Sequence, residues 1–101
     1  MNQESNKLHP MLGKHCVIRT YSAGVHVGIV EQTEGMEVLL KDSQRIWCWE
    51  GAFTLSAVAI DGVKDGSRIS RKVPEIYLTE AIEFIPTTQE ARDSYEKYTE
   101  E

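Results

Sequence analysis

The sequence predicts a mainly β (α+β) fold: a small, strongly bent antiparallel sheet or SH3-like, partly open barrel, with a short helix and a C-terminal helix. Three observations predict it. Four short runs in the first half of the chain are rich in β-branched, aromatic or alternating apolar residues. The links between these runs are short, which favours an antiparallel meander. Gly28 lies inside the second run, where a glycine is typical of a bulge or a tight bend in a curled sheet.

The predicted strands that form the body of the sheet cover residues 14–21, 25–32, 36–42 and 45–50. Two more predicted strands within 75–85 would add an edge. A short helix is predicted from about residue 54 to 60, because Thr54 or Ser56 can cap its start and Gly62 follows its end.

The C-terminal third also contains one predicted loop and one predicted helix. Residues 61–72 contain two glycines and four basic residues, and they predict a polar, mobile loop. The final helix is predicted to begin at Thr87 or Thr88, because Thr87 with Glu90 three residues later offers a capping box.

Length and charge limit the classes of partner. The 101 residues predict a flexible N-terminal arm at 1–12 and a single small β-rich domain at 13–101. Residues 1–74 carry nine Lys/Arg against eight Asp/Glu, whereas residues 75–101 carry two against eight. This nearly neutral body excludes duplex nucleic acid as a partner, because binding to its backbone needs an excess of cations. A small anion remains possible as a partner.

Two cysteines and no long apolar run indicate a cytoplasmic protein without a membrane partner.

The first candidate site is the tryptophan strand, in which Arg45, Trp47 and Trp49 are spaced two residues apart. Since side chains alternate across a strand, we expect these three on one face, with Ile46 and Cys48 on the other. Two indoles beside a guanidinium can stack on a flat ligand or on aromatic groups of a protein partner. The alternative is that the indoles are ordinary core residues.

The second candidate site joins the first two strands. It comprises Arg19, Tyr21, Ser22, Ala23, Gly24 and His26. A turn of small residues exposes backbone N–H groups, and a neighbouring arginine supplies a planar cation, so the segment suits phosphate or carboxylate. The alternative is a plain hairpin turn with Arg19 paired to an acid. The basic residues of 61–72 are either a solvated cluster or a lid over an anionic ligand.

Catalysis is not favoured by the sequence. It contains no motif for a nucleophile elbow, a phosphate loop or a metal-binding helix, and we predict no metal and no cofactor. Cys16 and His26 could act as nucleophile and base, but Cys16 lies in a strand instead of at a helix N-terminus that would favour the thiolate. We therefore predict a protein that is not an enzyme.

Three segments carry a resemblance to a known family. They are residues 19–28 (RTYSAGVHVG), 45–55 (RIWCWEGAFTL) and 73–86 (VPEIYLTEAIEFIP). In order and spacing they resemble small tailed-bacteriophage proteins of unknown function, although Cys48 stands where an aromatic residue is expected. The resemblance implies an accessory protein in the cytoplasm of an infected bacterium. By analogy with phage proteins that neutralise host defences, it suggests capture of a nucleotide signal.

We therefore expect a non-enzymatic anti-defence protein that binds and sequesters a small anionic nucleotide-type ligand. The two indoles would stack on the base, Arg19, Arg45 and the turn at 22–24 would hold phosphate, and Tyr21 and His26 would donate hydrogen bonds. The alternative is an inhibitor or assembly factor that binds a host protein through the tryptophan strand. Small domains with a thin core gain buried area by association, so we also expect a homo-oligomer.

Overall fold

The structure, a computed structural model, describes residues 9–100. It is mostly β, with a six-stranded antiparallel sheet that does not close and two short helices. The elements in chain order are β1 (His15–Thr20), β2 (Val25–Glu34), β3 (Glu37–Cys48), α1 (Leu55–Asp61), β4 (Arg68–Ile69), β5 (Val73–Leu78), β6 (Ala81–Pro86) and α2 (Gln89–Lys97). The predicted fold class is confirmed. Within the described part of the chain, no helix has the length and apolar character that a membrane crossing requires.

The sheet is strongly bent, because β5 and β6 follow each other directly in the chain but lie on opposite edges of the sheet. The order is β4-β3-β2-β1-β6, and β5 pairs with the same edge of β3 that β4 uses. Only two residues separate β5 from β6, so the chain passes from one edge to the other at this corner. Two backbone bonds hold the corner, from Tyr21 N to Glu80 O at 2.9 Å and from Ala81 N to Met36 O at 2.8 Å.

Each face of the sheet buries its own apolar cluster. The helix-side cluster comprises Val17, Val27, Ile46, Val58, Ala59, Val63, Ile69, Ala91 and Tyr95. The inner cluster, inside the bend, comprises Cys16, Ile18, Val30, Val38, Leu40, Leu78 and Ala81. Successive residues of β1, such as Val17 and Ile18, alternate between the two clusters. The strand is therefore buried on both faces.

One continuous strand replaces the two predicted at 36–42 and 45–50. Asp42 adopts a left-handed conformation with φ of 51°, which aspartate tolerates better than most residues. Lys41 pairs with Ile29 and Gln44 pairs with Val27, so β3 uses one more residue than β2 over this stretch. The feature predicted as a link is thus a bulge. The bulge keeps Ser43 and Gln44 inside the sheet, where both are buried.

Residues 61–72 are not entirely the polar loop that we predicted, because they contain the last residue of α1 and the short strand β4. Their β4 strand pairs with the end of β3, and Ile69 is buried opposite Ile46. The segment is also attached to Glu50, whose backbone nitrogen donates to Ser67 Oγ at 2.9 Å and whose carbonyl accepts from Lys64 N at 2.9 Å. An apolar residue within a polar sequence therefore anchors the segment to the core.

The helix caps are confirmed in one case and corrected in the other. Thr54 caps α1 by accepting a bond from Ala57 N at 3.1 Å, and Gly62 ends the helix with φ of 83°. Thr88, not Thr87, caps α2 through Ala91 N at 3.1 Å. The capping box is absent because the hydroxyl of Thr87 donates instead to the carbonyl of β1 residue 15, at 3.0 Å.

Part of the predicted N-terminal arm packs on the domain. Residues 9–12 form a turn in which Leu12 N donates to His9 O at 3.1 Å. Met11 and Leu12 pack against the inner cluster, and the His9 ring lies 4.7 Å from the ring of Phe84. The remainder of the predicted arm, residues 1–8, lies outside the described residues.

Candidate functional site

A cleft opens on the inner-cluster face of the sheet, between β3 and β5. It has a volume of about 230 Å³ and is lined by His26, Ser43, Arg45, Trp47, Ser70, Val73 and Ile76. We call it the Trp47 cleft. Ser43, Arg45 and Trp47 are alternate residues of β3 and therefore share a face. His26 joins them because it is the direct cross-strand partner of Arg45.

The two tryptophans do not form a shared platform. In the pairing with β4, Ile46 opposes Ile69 and Cys48 opposes Arg68, so β3 contains one extra residue at this point. Such a bulge reverses the alternation of side chains beyond it. Trp47 is 64% exposed and lines the cleft, whereas Trp49 is partly buried against the helix-side cluster. The prediction of a single face was therefore wrong for Trp49, which packs against the helix-side cluster.

His26 forms part of the buried wall of the cleft. Its Nε2 lies 3.0 Å from the carbonyl oxygen of Ala23, and because a carbonyl can only accept, Nε2 must carry the proton. Burial lowers the pKa of His26, with a smaller contribution from Arg45, although the bond to Ala23 acts in the opposite direction. The ring is therefore neutral near pH 7, and Nδ1 presents a lone pair. That buried atom has no hydrogen-bond partner among residues 9–100.

Ser43 supplies a second buried polar atom to the same cleft. Its side chain is buried, and its Oγ also lacks a partner within the described chain. Leaving a buried polar group unpaired costs about 1–3 kcal/mol, so such groups are rare in native structures. Both of the buried unpaired side-chain atoms found in residues 9–100 belong to residues that line this one cleft. Unpaired polar atoms are therefore concentrated in the residues that line this cleft, which makes it the strongest candidate site.

Arg45 gives the cleft a positive charge. The two ion pairs between described residues are Arg19–Glu83 and Lys72–Glu96, so Arg45 takes part in neither. Its backbone is fixed, because Arg45 N donates to Ser70 Oγ at 2.8 Å and Ser70 N donates to Arg45 O at 2.9 Å. The described lining of the cleft includes no acid. An anionic group at the mouth would therefore meet a guanidinium without a competing carboxylate.

The turn predicted to hold an anion lies beside two carboxylates. Arg19 Nε donates to Glu83 Oε1 at 3.0 Å, and Ser22 Oγ donates to Glu80 Oε1 at 3.2 Å. Strand β6 and the corner before it bring these acids from the acidic C-terminal quarter of the sequence. Arg19 is thus paired to an acid, as in the structural alternative, and is not part of the cleft.

The remaining turn residues also lie outside the cleft. Ala23 N donates to Thr20 Oγ1 at 2.7 Å, so its N–H group is not available to an anion. Gly24 uses its carbonyl to accept from both the nitrogen and the hydroxyl of Thr20. Tyr21 is 74% exposed and makes no side-chain hydrogen bond to another described residue. The structure therefore brings His26, Arg45 and Trp47 to one cleft, and within the described chain the turn meets these residues only through the bond from His26 Nε2 to the carbonyl oxygen of Ala23.

A second depression lies on the other side of Trp47. It has a volume of about 260 Å³ and is lined by Trp47, Ser67, Arg68, Ile69, Tyr98 and Glu100. It contains an acid as well as a cation, and neither of the two buried unpaired atoms belongs to it. Trp47 is the wall that the two depressions share, so a ligand stacked on its indole could extend across either one.

The structure disfavours Cys16 as a nucleophile. Its side chain is buried in the inner cluster, and burial raises the pKa of the Cys16 thiol to about 11. The reactive thiolate is therefore scarce near neutral pH. In the described residues, no group of three or more His, Cys, Asp or Glu side chains is placed to hold a metal ion.

Four lining residues were missed from the sequence: Ser43, Ser70, Val73 and Ile76. Ser43 lies in the predicted link between two strands. On a single continuous strand, its two-residue spacing from Arg45 and Trp47 places it on the same face as them. The other three reach the cleft through β4 and β5. Their position depends on pairing with β3 across 25 or more residues, for which the sequence contains no local signal.

Comparison with known proteins gives a family without an activity. Residues 13–95 match a family model whose description is "Domain of unknown function (DUF6948)". No curated protein and no solved structure matches the chain.

Proposed function

Because this chain belongs to the DUF6948 family, a domain of unknown function, we propose its function from the geometry of the Trp47 cleft. The protein binds and sequesters a small anionic nucleotide-type ligand there. One observation carries the proposal: an unpaired arginine and an exposed indole flank the only two buried, unpartnered side-chain polar atoms of residues 9–100.

Each part of a nucleotide has a matching group in the cleft. The exposed face of Trp47 can stack on a base, an interaction worth about 1–3 kcal/mol. Arg45 can bind phosphate through its planar set of N–H donors. The volume of about 230 Å³ lies below the roughly 300 Å³ at which sites for drug-sized ligands begin. The cleft therefore takes the base, and the sugar and phosphate remain at its mouth.

Sequestration without turnover fits the chemistry of the cleft. The lining contains two serines, but among the described residues neither hydroxyl forms a hydrogen bond with the ring of His26, as activation of a serine nucleophile requires. From the resemblance of residues 19–28, 45–55 and 73–86 to small phage proteins, we further propose an anti-defence role in the cytoplasm of an infected bacterium. In this proposal the protein acts as a homo-oligomer that holds a host nucleotide signal.

Calorimetry tests the binding step. The full chain is titrated with a panel of nucleoside monophosphates, linear dinucleotides and cyclic nucleotides at high protein concentration. We expect heat with at least one member, and a loss of that heat in Trp47→Ala. Absence of heat across the whole panel, with folded protein, would reject the proposal.

Exposed aromatic residues support a second candidate function, in which the chain docks on a host protein. Phe53 is fully exposed and lies six residues beyond Trp47, which is also exposed. Aromatic residues of this kind are enriched in interface hot spots. A pull-down from host lysate should recover a partner with the native chain and lose it with Phe53→Ala. Tyr21→Ala, at another exposed aromatic residue, is the control that should retain it.

A further inference from the structure

We infer that the ligand enters the Trp47 cleft base first and places an exocyclic amino group against His26 and Ser43. The ligand class is thus a nucleotide whose base carries an amino group next to a ring nitrogen, as adenine and cytosine do. The inference rests on the proposed function and specifies the ligand of the same cleft. It follows from the hydrogen-bonding capacity of the two unpaired atoms.

His26 can only accept a hydrogen bond from the ligand. Its single ring proton lies on Nε2, which donates to the carbonyl oxygen of Ala23 at 3.0 Å. The other nitrogen, Nδ1, is the unpaired atom, and in the neutral ring it has a lone pair and no proton. The expectation that His26 donates to the ligand was therefore wrong. The buried part of the ligand must supply an N–H or O–H group.

This requirement excludes phosphate from the buried end of the cleft. At neutral pH the outer oxygens of a phosphate group are almost entirely acceptors, and at the buried end of the cleft they would face the lone pair of Nδ1. The cation of the lining, Arg45, is exposed, in contrast to the buried His26 and Ser43. The phosphate therefore binds at the mouth beside Arg45, and the base occupies the buried end.

An amino group satisfies both unpaired atoms together. It carries two N–H donors, one for Nδ1 of His26 and one for Oγ of Ser43. The hydroxyl of Ser43 retains its own proton, which can be donated to the ring nitrogen next to the amino group. A base without this amino group leaves Nδ1 unpaired, and the complex keeps the desolvation cost of a buried polar atom.

The test compares nucleotides that differ only in the amino group. AMP is paired with purine riboside 5′-monophosphate, and CMP with the 5′-monophosphate of 2-pyrimidinone riboside, by calorimetry on the full chain. We expect the amino member of at least one pair to bind fivefold or more tightly than its partner. Equal binding within both pairs would overturn the amino-group inference and leave the proposed function intact. Heat from none of the four would overturn the inference, whereas a response to other nucleotides would still support the proposed function.

Two variants attribute the preference to the named atoms. His26→Gln can keep an N–H donor to Ala23 through its amide while removing the Nδ1 acceptor, and Ser43→Ala removes only the second unpaired atom. Each variant keeps one of the two acceptors, so we expect the preference for the amino member to shrink at least twofold in each variant without disappearing. An unchanged preference in Ser43→Ala and His26→Gln would overturn the inference, and Ser43→Ala alone decides the matter if His26→Gln does not fold. Inorganic phosphate that binds as tightly as AMP would overturn the base-first orientation.

Discussion

Tyr95 donates its hydroxyl proton to the carbonyl oxygen of Val58 across 2.6 Å, and this buried bond joins α2 to α1. Both residues belong to the helix-side cluster, so the bond lies among apolar side chains. It fixes how the two helices cover one face of the sheet while the opposite face remains open at the Trp47 cleft.

Removing this hydroxyl should lower stability without affecting the cleft. Tyr95→Phe loses one hydrogen bond, which contributes about 0.5–1.5 kcal/mol to the free energy of unfolding. Urea denaturation followed by circular dichroism measures the loss. Tyr21→Phe, at an exposed tyrosine whose hydroxyl bonds no described residue, is the matched control and should change stability by less than about 0.5 kcal/mol. An equal effect in both variants would contradict the role assigned to the bond.

The two tryptophans should respond oppositely to truncation. Trp49→Ala removes a partly buried core residue, and we expect a loss of about 2–3 kcal/mol in unfolding free energy. Trp47→Ala removes an exposed indole, so stability should change by less than about 0.5 kcal/mol while nucleotide binding is lost. Thermal melts and calorimetry on the same samples separate the two effects. A folded Trp49→Ala variant without binding, beside an active Trp47→Ala, would reverse the assignment.

The two arginines predicted to hold phosphate should also differ. Arg45→Ala removes the unpaired cation of the cleft, and we expect nucleotide affinity to fall at least tenfold. Arg19→Ala breaks an exposed ion pair with Glu83, which contributes less than about 1 kcal/mol to stability, and should leave affinity unchanged. Calorimetric titration of both variants gives the comparison. Equal losses of affinity would show that the turn, and not the cleft alone, binds the anion.

His15 should make the fold sensitive to acid. Burial, followed by the charges of Arg92 and Lys72, lowers the pKa of His15 to about 4, although Glu96 acts against this. The unfolded chain binds the proton near pH 6.5 and the folded chain only near pH 4. The contribution of neutral His15 to the free energy of unfolding is therefore fully present above about pH 6.5, and it is lost as the pH falls to about 4. The expected loss is on the order of 2 kcal/mol after allowance for partial exposure.

Comparison with His15→Asn isolates this effect from that of other groups. His15 Nδ1 lies 2.7 Å from Thr87 Oγ1, and the asparagine amide can donate to the same oxygen without titrating. The difference in unfolding free energy between pH 7 and pH 4.5, measured with urea, should be smaller in the variant. An identical difference in both proteins would show that His15 does not titrate as described.

Gly28 should resist substitution because it lies against the bulge in β3. A Cβ on Gly28 would come within 3.1 Å of the carbonyl oxygen of Lys41 and 3.2 Å of the Cα of Ser43. Relieving these contacts requires backbone movement, so Gly28→Ala should cost about 1–3 kcal/mol. Gly35→Ala would be strained only by its positive φ, with nothing within 4 Å, and it serves as the comparison. Urea denaturation gives both values, and a neutral Gly28→Ala would contradict the close approach.

Much of the fold was predictable because its signals are local. β-Branched and aromatic composition located β1, alternation located β2, and the Thr54 and Gly62 caps set the ends of α1. The errors arose where a residue departed from its local pattern. Asp42 in a left-handed conformation continues β3 through a bulge, although the sequence there is typical of a link. Ile69 is buried within a polar segment only because β3 offers it a partner strand.

The candidate site was predicted only in part, because local signals identified some of its residues while others depend on contacts between distant parts of the chain. Arg45, Trp47 and His26 were identified by residue type and spacing, and the structure brings them to one cleft. Trp49 was assigned to the wrong face because the bulge at the end of β3 reverses the alternation. Arg19 was predicted as an anion ligand because its partner, Glu83, is 64 residues away in the sequence.

The order of residues alone therefore determined most of the strands and both helices, since backbone preference and side-chain alternation act between near neighbours, but it did not determine β4 or the continuity of β3. Folding in three dimensions decided which polar groups find partners. Glu83 reaches Arg19 because β6 pairs with β1, whereas nothing in the described chain forms a hydrogen bond with Nδ1 of His26 or Oγ of Ser43. Hydrogen bonds and ion pairs depend on distances of a few ångströms between strands that are remote in sequence, and only the packed sheet sets those distances.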